Sequence, residues 1–353
     1  MGTESIEASF LSIFALISFF IFLITSKLSH KIREGILLDK DFNKPQAFHK
    51  FPVTRSGGIA TIISLLIFFG IYYLLYSELL YEYIFISIFM FLIGFLDDLK
   101  INITPSRRLL IMVILLFSII YISDIKILNI DIPFLSLIKN NQLISSAFVL
   151  LCFLFVINGA NLIDGFNGLL AINLIIINTI LTYINISSAN IEFSFLLIAQ
   201  IIILLTFLLF NFPTAKIFFG DSGAYLFGSL ISLNIIITNN LNSDISSFFF
   251  CTLLFYIFFE VFFSFFRKIY MNQSPFYPDN KHLHMLSYYK ISSLLGNDKA
   301  NFLNSIILNA VYLILIIPGL YFIDSPILSR CWFFILLFIY IIGYLRLYRL
   351  TKN

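Results

Sequence analysis

The chain has 353 residues, of which 60% are hydrophobic and only 12% are charged, and its formal net charge is +3. A soluble protein of this length would carry about a quarter charged residues, so the composition excludes an ordinary soluble domain. Apolar runs close to the ~20 residues that cross a bilayer recur along the chain, and they are continuous rather than alternating, which argues against a β-barrel. The sequence therefore predicts an all-α polytopic membrane protein.

We predict about 10–11 transmembrane helices in a single integral-membrane unit, residues 1–353, with no soluble domain. The first apolar run has no basic segment before it, so we expect a span rather than a cleaved signal. The expected spans are Ala8–Thr25, Gly57–Tyr76, Leu79–Leu96, Leu109–Ile122, Gln142–Ile157, Leu169–Tyr183, Phe193–Phe210, Ile217–Thr238, Ser247–Phe266, Phe302–Phe322 and Ile327–Tyr344.

The distribution of basic residues predicts the orientation of these spans. With the N-terminus outside, nineteen of the 22 Lys and Arg residues fall in the loops of one side, and only Lys126, Lys139 and Arg330 fall on the other. Basic residues accumulate on the cytoplasmic side of membrane proteins. We therefore expect an odd number of spans, a cytoplasmic C-terminus and, for a bacterial chain, the inner membrane.

The loops that carry chemically useful side chains all fall on the predicted cytoplasmic side. An enzyme that works at the inner face of the membrane would have such a one-sided cluster. We expect the active site to be formed by residues 27–56, 97–108, 158–168, 211–222 and 267–300.

The densest of these loops reads NGANLIDGFNGL and begins at Asn158. Asn158, Asn161 and Asp164 recur every three residues, so they share one face if the preceding helix continues into the loop. Gly165 would let the backbone approach a ligand closely. Polar groups packed so densely beside a membrane are costly unless they line a hydrated site.

Two further motifs place carboxylates at predicted helix ends. Asp97 and Asp98 end a span in GFLDDLK, where they could bind a divalent cation, act as a base, or be a solvated helix terminus. Arg108 is near enough in sequence to compensate their charge or to bind phosphate. Asp221, in GDSG, opens another span, where it could ligate Mg²⁺ or simply be an N-cap. Lys216 just before it could meet a phosphate or snorkel at the interface.

The last loop combines Glu260, inside a span, with SPFYPDNKHLHM further on. Glu260 is a functional candidate or half of a structural ion pair. His282 and His284 alternate, which would point both to one face of an extended segment. No third His or Cys follows in ligand spacing, so contact with phosphate is favoured over zinc. The first loop carries Lys50 in a basic run that serves topology, lipid headgroups or substrate.

Taken in this order, the motifs resemble those of the polyprenyl-phosphate N-acetylhexosamine-1-phosphate transferases, glycosyltransferase family 4, which are related to the phospho-MurNAc-pentapeptide translocase. The resemblance covers nearly the whole chain. It rests on KPQAFHKFPVTRSGG, GFLDDLK, NGANLIDGFNGL, NFPTAKIFFGDSGAYLFG and FEVFFSFFRK followed by SPFYPDNKHLH.

The resemblance implies transfer of a HexNAc-1-phosphate from a UDP-sugar to undecaprenyl phosphate, release of UMP, and a need for Mg²⁺, with Mn²⁺ as an alternative. It implies a lipid bilayer as the setting, no nucleic acid, and an oligomeric state left open between monomer and homodimer. The implied metal ligand is Asp221, and the implied catalytic residues are Asp97, Asp98 and Asp164. The implied substrate-binding residues are Asn158, Asn161, Gly165, Asn167, Asn211, Lys216, Lys50, Arg108, His282 and His284.

Three positions depart from the family pattern. Asn167 stands where many members carry a second Asp, which weakens a role for this position in binding metal. Met285 follows His284 where relatives often carry another His, and Glu260 stands where many carry Asp. The HLHM form favours the branch that initiates O-antigen or related envelope polysaccharides over the peptidoglycan enzyme.

Several alternatives remain open at this stage. The lipid phosphate could attack the donor β-phosphate directly, or Asp97, Asp98 or Asp164 could form a covalent intermediate. A lipid-linked sugar transporter is a second functional class, although transporters place polar groups at mid-membrane and here only Glu260 lies deep in a span. A non-catalytic scaffold for polysaccharide assembly is a third.

Overall fold

The computed structural model describes residues 3–29, 36–40, 51–101, 103–132, 135, 140–274 and 279–352. Within these ranges the chain forms thirteen helices and one two-stranded sheet. The helices are α1 (Thr3–Leu28), α2 (Gly57–Tyr76), α3 (Tyr81–Asp98), α4 (Pro105–Ile122), α5 (Gln142–Ile163), α6 (Leu169–Ser187), α7 (Ile191–Asn211), α8 (Gly220–Leu241), α9 (Ser247–Leu253), α10 (Phe255–Tyr270), α11 (Leu283–Leu295), α12 (Asn297–Tyr321) and α13 (Pro326–Lys352). The strands are β1 (Leu38–Asp39) and β2 (Val53–Thr54).

This architecture confirms the predicted class of all-α polytopic membrane protein. Among the described residues, nine helices are long and apolar enough to cross a membrane, or ten if α9 and α10 together form one broken span. Helix α3 falls outside the nine because it carries Glu82, Asp97 and Asp98. Each of the eleven predicted spans therefore has a helical counterpart, while the side of the membrane on which each terminus lies stays a prediction.

Two predicted boundaries need correction. The span that begins at Gln142 continues to Ile163, so Asn158 and Asn161 lie on the last turns of α5 and not in a loop. The span predicted over Ser247–Phe266 is broken at Leu254, where α9 and α10 meet at a bend of 76°. Neither proline nor glycine causes this break. The hydroxyl of Tyr312 on α12 instead donates to the Leu253 carbonyl at 2.5 Å, which satisfies a carbonyl at the helix end.

Helix α8 lies at the centre of the bundle and packs most extensively against α3 and α5. It is buried along most of its length because neighbours surround it, and it presents polar as well as apolar side chains to them. Asn234, for example, accepts a hydrogen bond from the Tyr83 hydroxyl at 2.7 Å and donates to Gln200 at 2.7 Å and Asn178 at 3.0 Å. Interhelical hydrogen bonds of this kind fix the position of a central helix within a membrane bundle.

The short sheet ties the first loop to the beginning of α8. β1 and β2 pair in an antiparallel sense, and the Phe218 N–H donates to the Thr54 carbonyl at 2.8 Å. The N–H groups of Gly57 and Gly58 then donate to the carbonyls of Phe218 and Phe219. The start of α2 and the start of α8 are thus held side by side at one end of the bundle.

Candidate active site

Asp98, the last residue of α3, caps the N-terminus of α8. Its Oδ1 accepts from the backbone N–H of Asp221 at 3.0 Å, and its Oδ2 accepts from the N–H of Ser222 at 3.0 Å and from the Ser222 hydroxyl at 2.6 Å. The first N–H groups of a helix have no partner within the helix, and a carboxylate satisfies both them and the helix dipole. Since Asp98 is 1% exposed, both of its oxygens serve to position Asp221.

Glycines permit this close approach of α3 to α8. Gly220 has φ +72°, and a Cβ there would lie 2.5 Å from Asp98 Oδ2. A Cβ on Gly94 would lie 2.5 Å from the Asp221 carbonyl oxygen. A side chain at either position would push the carboxylate away from the N–H groups that it accepts from.

Arg108, from the first turn of α4, connects the two acidic motifs. Its Nη1 lies 2.7 Å from Asp97 Oδ2 and 3.0 Å from Asp221 Oδ2, so these two carboxylate oxygens lie close to each other. Its guanidinium also lies 5.6 Å from the centre of the Tyr225 ring. The side chains of Arg108, Asp97 and Asp221 are 20%, 32% and 21% exposed, whereas that of Asp98 is 0% exposed. The open part of the cluster is therefore the pair Asp97 and Asp221.

Arg55 brings a second guanidinium to this cluster. It forms a salt bridge with Asp39 at 2.7 Å, and its Nη1 lies 3.6 Å from Asp98 Oδ1. The short sheet places it there, because Arg55 directly follows β2 and its N–H donates to the Leu37 carbonyl at 2.9 Å. Arg55 and Tyr225 were not among the predicted site residues. The signals that could have identified them are the position of Arg55 just before Gly57 and that of Tyr225 one helical turn after Asp221.

Asp164 lies beside the same cluster, at the end of α5. Burial raises the pKa of its carboxyl well above the ordinary value, and the charges of Asp221 and Asp98 raise it further, while Arg55 acts in the opposite direction. The position of Asp164 is thus within electrostatic range of both acidic motifs. Of its companions, Asn158 donates to the Leu154 carbonyl within α5, and Asn161 lies near the Tyr225 hydroxyl.

Two of the predicted substrate-binding amides instead hold loops together. The Asn167 side chain donates to the Pro213 carbonyl at 2.8 Å, and its backbone N–H donates to Asn301 Oδ1 at 2.9 Å. Asn211 Oδ1 accepts from the Gly168 N–H at 2.7 Å, and its amide donates to the Ile217 carbonyl at 2.9 Å. These contacts fix the loop after Asp164 against the loop that leads into α8.

The histidines lie in a separate, buried cluster that joins α10 to α11. His282 Nδ1 lies 3.2 Å from Glu260 Oε2, and its Nε2 lies 3.1 Å from Asp279 Oδ1. Arg267 binds the same Asp279 with two nitrogens, at 2.6 and 3.2 Å. Glu260 Oε1 also accepts from the Leu283 N–H at 3.1 Å. The sequence left Glu260 as a functional candidate or half of a structural ion pair, and the structure gives it His282 as a partner.

His284 differs from His282, although their rings stack at 5.4 Å. It is 0% exposed, and neither ring nitrogen has a hydrogen-bond partner among the described residues. Its Nδ1 lies 3.8 Å from Glu260 Oε1, which is too long for a hydrogen bond. A Cβ on Gly165 would lie 3.8 Å from His284 Nε2, so this nitrogen points at the backbone after Asp164.

The remaining predicted residues do not join either cluster. Lys216 is exposed, and Lys50 lies outside the described residues. The structure thus brings together Asp97, Asp98, Asp164, Asp221 and Arg108 at one end of the bundle. It places the side chains of Asn167, Asn211 and His282 in hydrogen bonds or salt bridges with other residues of the chain.

The oxygens of Asp97 and Asp221 fit a divalent cation of the Mg²⁺ type. Such a cation is commonly held by one or two carboxylates, with waters and substrate phosphates completing the octahedron. No group of three or more His, Cys, Asp or Glu side chains arranged to hold a metal is found in the described part of the chain. The protein would therefore supply part of the coordination shell, and Arg108 now provides the positive charge between the two carboxylates.

Fold and site together define a multi-span membrane protein with a paired-carboxylate site, flanked by guanidinium groups, at one end of its helical bundle. Comparison with known proteins adds a family match. Residues 80–239 match the model of glycosyl transferase family 4. The matched region contains Asp97, Asp98, Asp164 and Asp221 but ends before Glu260 and the histidines.

Named relatives come from two groups. The chain is 27% identical over 271 residues to the undecaprenyl-phosphate alpha-N-acetylglucosaminyl 1-phosphate transferase of Thermotoga maritima, which covers 76% of this chain and 78% of that protein. It is 32% identical over 149 residues to the phospho-N-acetylmuramoyl-pentapeptide-transferase of Clostridium perfringens, covering 40% of this chain and 47% of the relative. The enzyme of that name from Streptococcus agalactiae is 33% identical over 154 residues, with 40% and 44% covered.

Proposed function

We propose that this protein transfers a HexNAc-1-phosphate from a UDP-sugar to undecaprenyl phosphate and releases UMP. The match of residues 80–239 to glycosyl transferase family 4 supports a transferase. The similarity over 78% of the Thermotoga protein's length supports the lipid acceptor. By the proposed orientation the reaction takes place in the cytoplasmic leaflet of a bacterial inner membrane and initiates O-antigen or a related envelope polysaccharide.

One observation carries this proposal: a single nitrogen of Arg108 bridges carboxylates from two different motifs, Asp97 and Asp221. Donor and acceptor are both phosphates, so bringing them together requires positive charge at one point. The carboxylate pair would hold Mg²⁺, which supplies that charge and stabilises the negative charge of the transferring phosphoryl group. Arg108 and Arg55 are the protein's own cations at the same place, suited to orienting phosphate oxygens.

In the proposed reaction an oxygen of the lipid phosphate attacks the β-phosphorus of the donor. The new P–O bond forms as the bond from the β-phosphorus to the bridging oxygen breaks, and the electron pair leaves with UMP. The chain's own part is to hold both anions in line and to position the nucleophile. Asp98 would act as a positioning residue, because both of its oxygens already accept hydrogen bonds from α8. Asp97 and Asp164 remain the candidates for a base.

The direct route competes with a two-step route in which an aspartate first takes the HexNAc-1-phosphoryl group from the donor as UMP leaves, and the lipid phosphate then takes that group from the aspartate. Asp98 is poorly placed for this role because it is buried and fully hydrogen bonded. Incubating the protein with UDP-sugar alone and measuring its intact mass would separate the routes. A protein heavier by one HexNAc-phosphoryl group would reject direct attack, and unchanged mass with full activity on adding lipid would support it.

The decisive assay is UMP release by purified protein supplied with undecaprenyl phosphate, Mg²⁺ and one donor at a time. We expect release with a UDP-HexNAc such as UDP-GlcNAc or UDP-GalNAc, and none without lipid. Release only with UDP-MurNAc-pentapeptide would assign the protein to the peptidoglycan branch. No release with any donor, together with movement of lipid-linked sugar across a vesicle membrane, would favour a transporter.

A further inference from the structure

The hydrogen bonds around His282 define its protonation state. Both ring nitrogens lie within hydrogen-bond distance of a carboxylate oxygen, Nδ1 from Glu260 at 3.2 Å and Nε2 from Asp279 at 3.1 Å. A neutral imidazole has one donor and one acceptor nitrogen, whereas a carboxylate offers only acceptors. With both carboxylates ionised, the geometry is satisfied on both sides only when both nitrogens carry protons, which makes His282 an imidazolium.

This charge completes a chain of directly contacting groups. Within it, Arg267 and the His282 imidazolium contribute two positive charges, and Asp279 and Glu260 contribute two negative charges. Lys268 lies close enough to interact with Asp279 as well. The side chains of His282 and Glu260 are 2% and 1% exposed, so an unbalanced charge there would be costly. Burial acts to lower the pKa of His282, but the hydrogen bonds to Asp279 and Glu260 outweigh it and raise the pKa above its ordinary value.

The chain positions α11 with respect to the candidate active site. Glu260 accepts from the N–H of Leu283, the first residue of α11, so it caps this helix from α10. On the next turns of α11, the rings of His284 and Tyr288 pack against Phe166, with centroids 5.8 and 5.1 Å away. Phe166 follows Asp164 by two residues. A shift of the N-terminus of α11 would therefore move the loop that carries Asp164.

We propose that His282 is a positioning residue, held between Glu260 and Asp279, that fixes α11 against the Asp164 loop and does not itself bind the donor. This differs from the expectation of the sequence, in which both histidines touch the donor's phosphates. The kinetic test of this proposal rests on the proposed transferase function. A spectroscopic test does not.

Nitrogen NMR of the histidines tests the charge of His282 without any assay. The chain has only four histidines, so ¹⁵N-histidine labelling with His282→Gln and His284→Gln as assignment variants gives each ring its own signal. We expect an imidazolium signal from His282 that persists as pH rises above about 6.5, the ordinary histidine range, and a neutral signal from His284. Glu260→Gln should make His282 neutral at lower pH. A neutral His282 at pH 7 in the unaltered protein would overturn the proposal.

The titration of His282 has to be interpreted with every charged or titratable group that faces this cluster. Besides its two carboxylate partners, these are Arg267, Lys268 and Tyr256 from α10, His284 from α11, and Tyr340 and Tyr344 from α13. Burial lowers the pKa of His284 below its ordinary value, which Glu260 only partly offsets, so the two histidines should titrate far apart.

Steady-state kinetics distinguish a positioning residue from a donor ligand. We expect His282→Gln to lower kcat about a hundredfold, the cost of a small misplacement of reacting groups, while KM for the UDP-sugar changes less than about threefold. Glu260→Gln should behave in the same way, and the double variant should be no worse than either single variant because all three break one chain. A large rise in KM with kcat preserved, or additive losses, would identify His282 as a donor ligand and overturn the proposal.

The NMR test and the kinetic test together distinguish a failure of this proposal from a failure of the proposed function. If the unaltered protein releases no UMP, the transferase proposal fails while the NMR result still decides the charge of His282. If His282→Gln does not fold, Glu260→Gln, which keeps the side chain's size and one acceptor oxygen, provides the same test.

Discussion

The two clusters at the same end of the bundle use similar residues in opposite ways. In the carboxylate cluster, Asp97 and Asp221 share one guanidinium, that of Arg108, and their side chains are 32% and 21% exposed. In the histidine cluster, two acids and two bases form one chain of contacts, and the histidine is 2% exposed. An excess of acid that remains open to solvent can receive a cation and its phosphate ligands, whereas a balanced closed chain can only hold helices together.

Each cluster nevertheless contains one carboxylate with the same structural task. Asp98 reaches from α3 to the N-terminus of α8, and Glu260 reaches from α10 to the N-terminus of α11. Both are almost fully buried and accept from backbone N–H groups of a helix far away in sequence. The comparison shows that a buried acid beside a site is not by itself a catalytic residue, and the predictions below are designed to test this difference.

The largest effect should come from Asp221→Asn. We expect transfer to fall about a thousandfold, because the loss of one carboxylate removes charge at the point where the phosphoryl group is stabilised. The folded protein should keep its thermal midpoint, since Asp221 is partly exposed and its backbone N–H still donates to Asp98. Asp244→Asn, at an exposed position beyond the other end of α8, is the matched control. Full activity in Asp221→Asn would remove this residue from the site.

Asp98→Asn should reduce both activity and stability. An amide keeps one acceptor oxygen for α8 but presents NH₂ to donors on the other side, at a cost of about 1–3 kcal/mol in the free energy of unfolding. We expect a loss of activity of about a hundredfold through misplacement of Asp221. Thermal unfolding in detergent, measured beside UMP release, checks both. A variant that is inactive but as stable as the unaltered protein would return Asp98 to the catalytic residues.

The substitution Arg108→Gln should show that the carboxylate cluster binds a divalent cation and that the histidine cluster does not. Without its guanidinium, Asp97 and Asp221 repel each other, so the thermal midpoint should fall in chelator and recover on adding Mn²⁺. The affinity for Mn²⁺, followed by electron paramagnetic resonance, should rise severalfold because the competing charge is gone. Arg267→Gln, in the balanced chain, should also lower the midpoint, but Mn²⁺ should not restore it. Equal rescue of both variants would contradict the proposed cation site.

The pH dependence of stability should reveal the histidine chain. Because the pKa of His282 is raised in the folded protein, its contribution is complete below the ordinary histidine pKa and is lost as pH rises through the folded value. We therefore expect the thermal midpoint to fall on the alkaline side, and His282→Gln to flatten this part of the curve. If the thermal midpoint of the variant falls at alkaline pH as steeply as that of the unaltered protein, a group other than His282 causes the fall.

The smallest effect should come from Lys126→Ala at the opposite end of the molecule. Its salt bridge with Asp124 is short, at 2.7 Å, but the Lys126 side chain is partly exposed, at 29%, and that of Asp124 is exposed, at 52%. Exposed ion pairs contribute about 0–1 kcal/mol, so stability and UMP release should remain close to those of the unaltered protein. A marked loss of activity would mean that the two ends of the bundle are coupled.

The sequence by itself determined the class of the protein, the approximate limits of most of its spans, and the motifs that carry its acids. These properties follow from the length of apolar runs and from short spacings along the chain, which are local. The period of three in the polar residues predicted a shared face only on the condition that the helix continued beyond Ile157, and the structure supplied that continuation.

Only the tertiary structure decided which acidic side chains position helices and which remain open to a ligand. Asp98 caps a helix whose first residues lie 123 positions later in the chain, and the break at Leu254 depends on a hydroxyl 59 positions beyond the carbonyl that it satisfies. His282 received its two carboxylate partners from α10 and from the loop before α11. Hydrogen bonds between distant segments leave no period and no local composition in the sequence, and they become visible only when the helices pack.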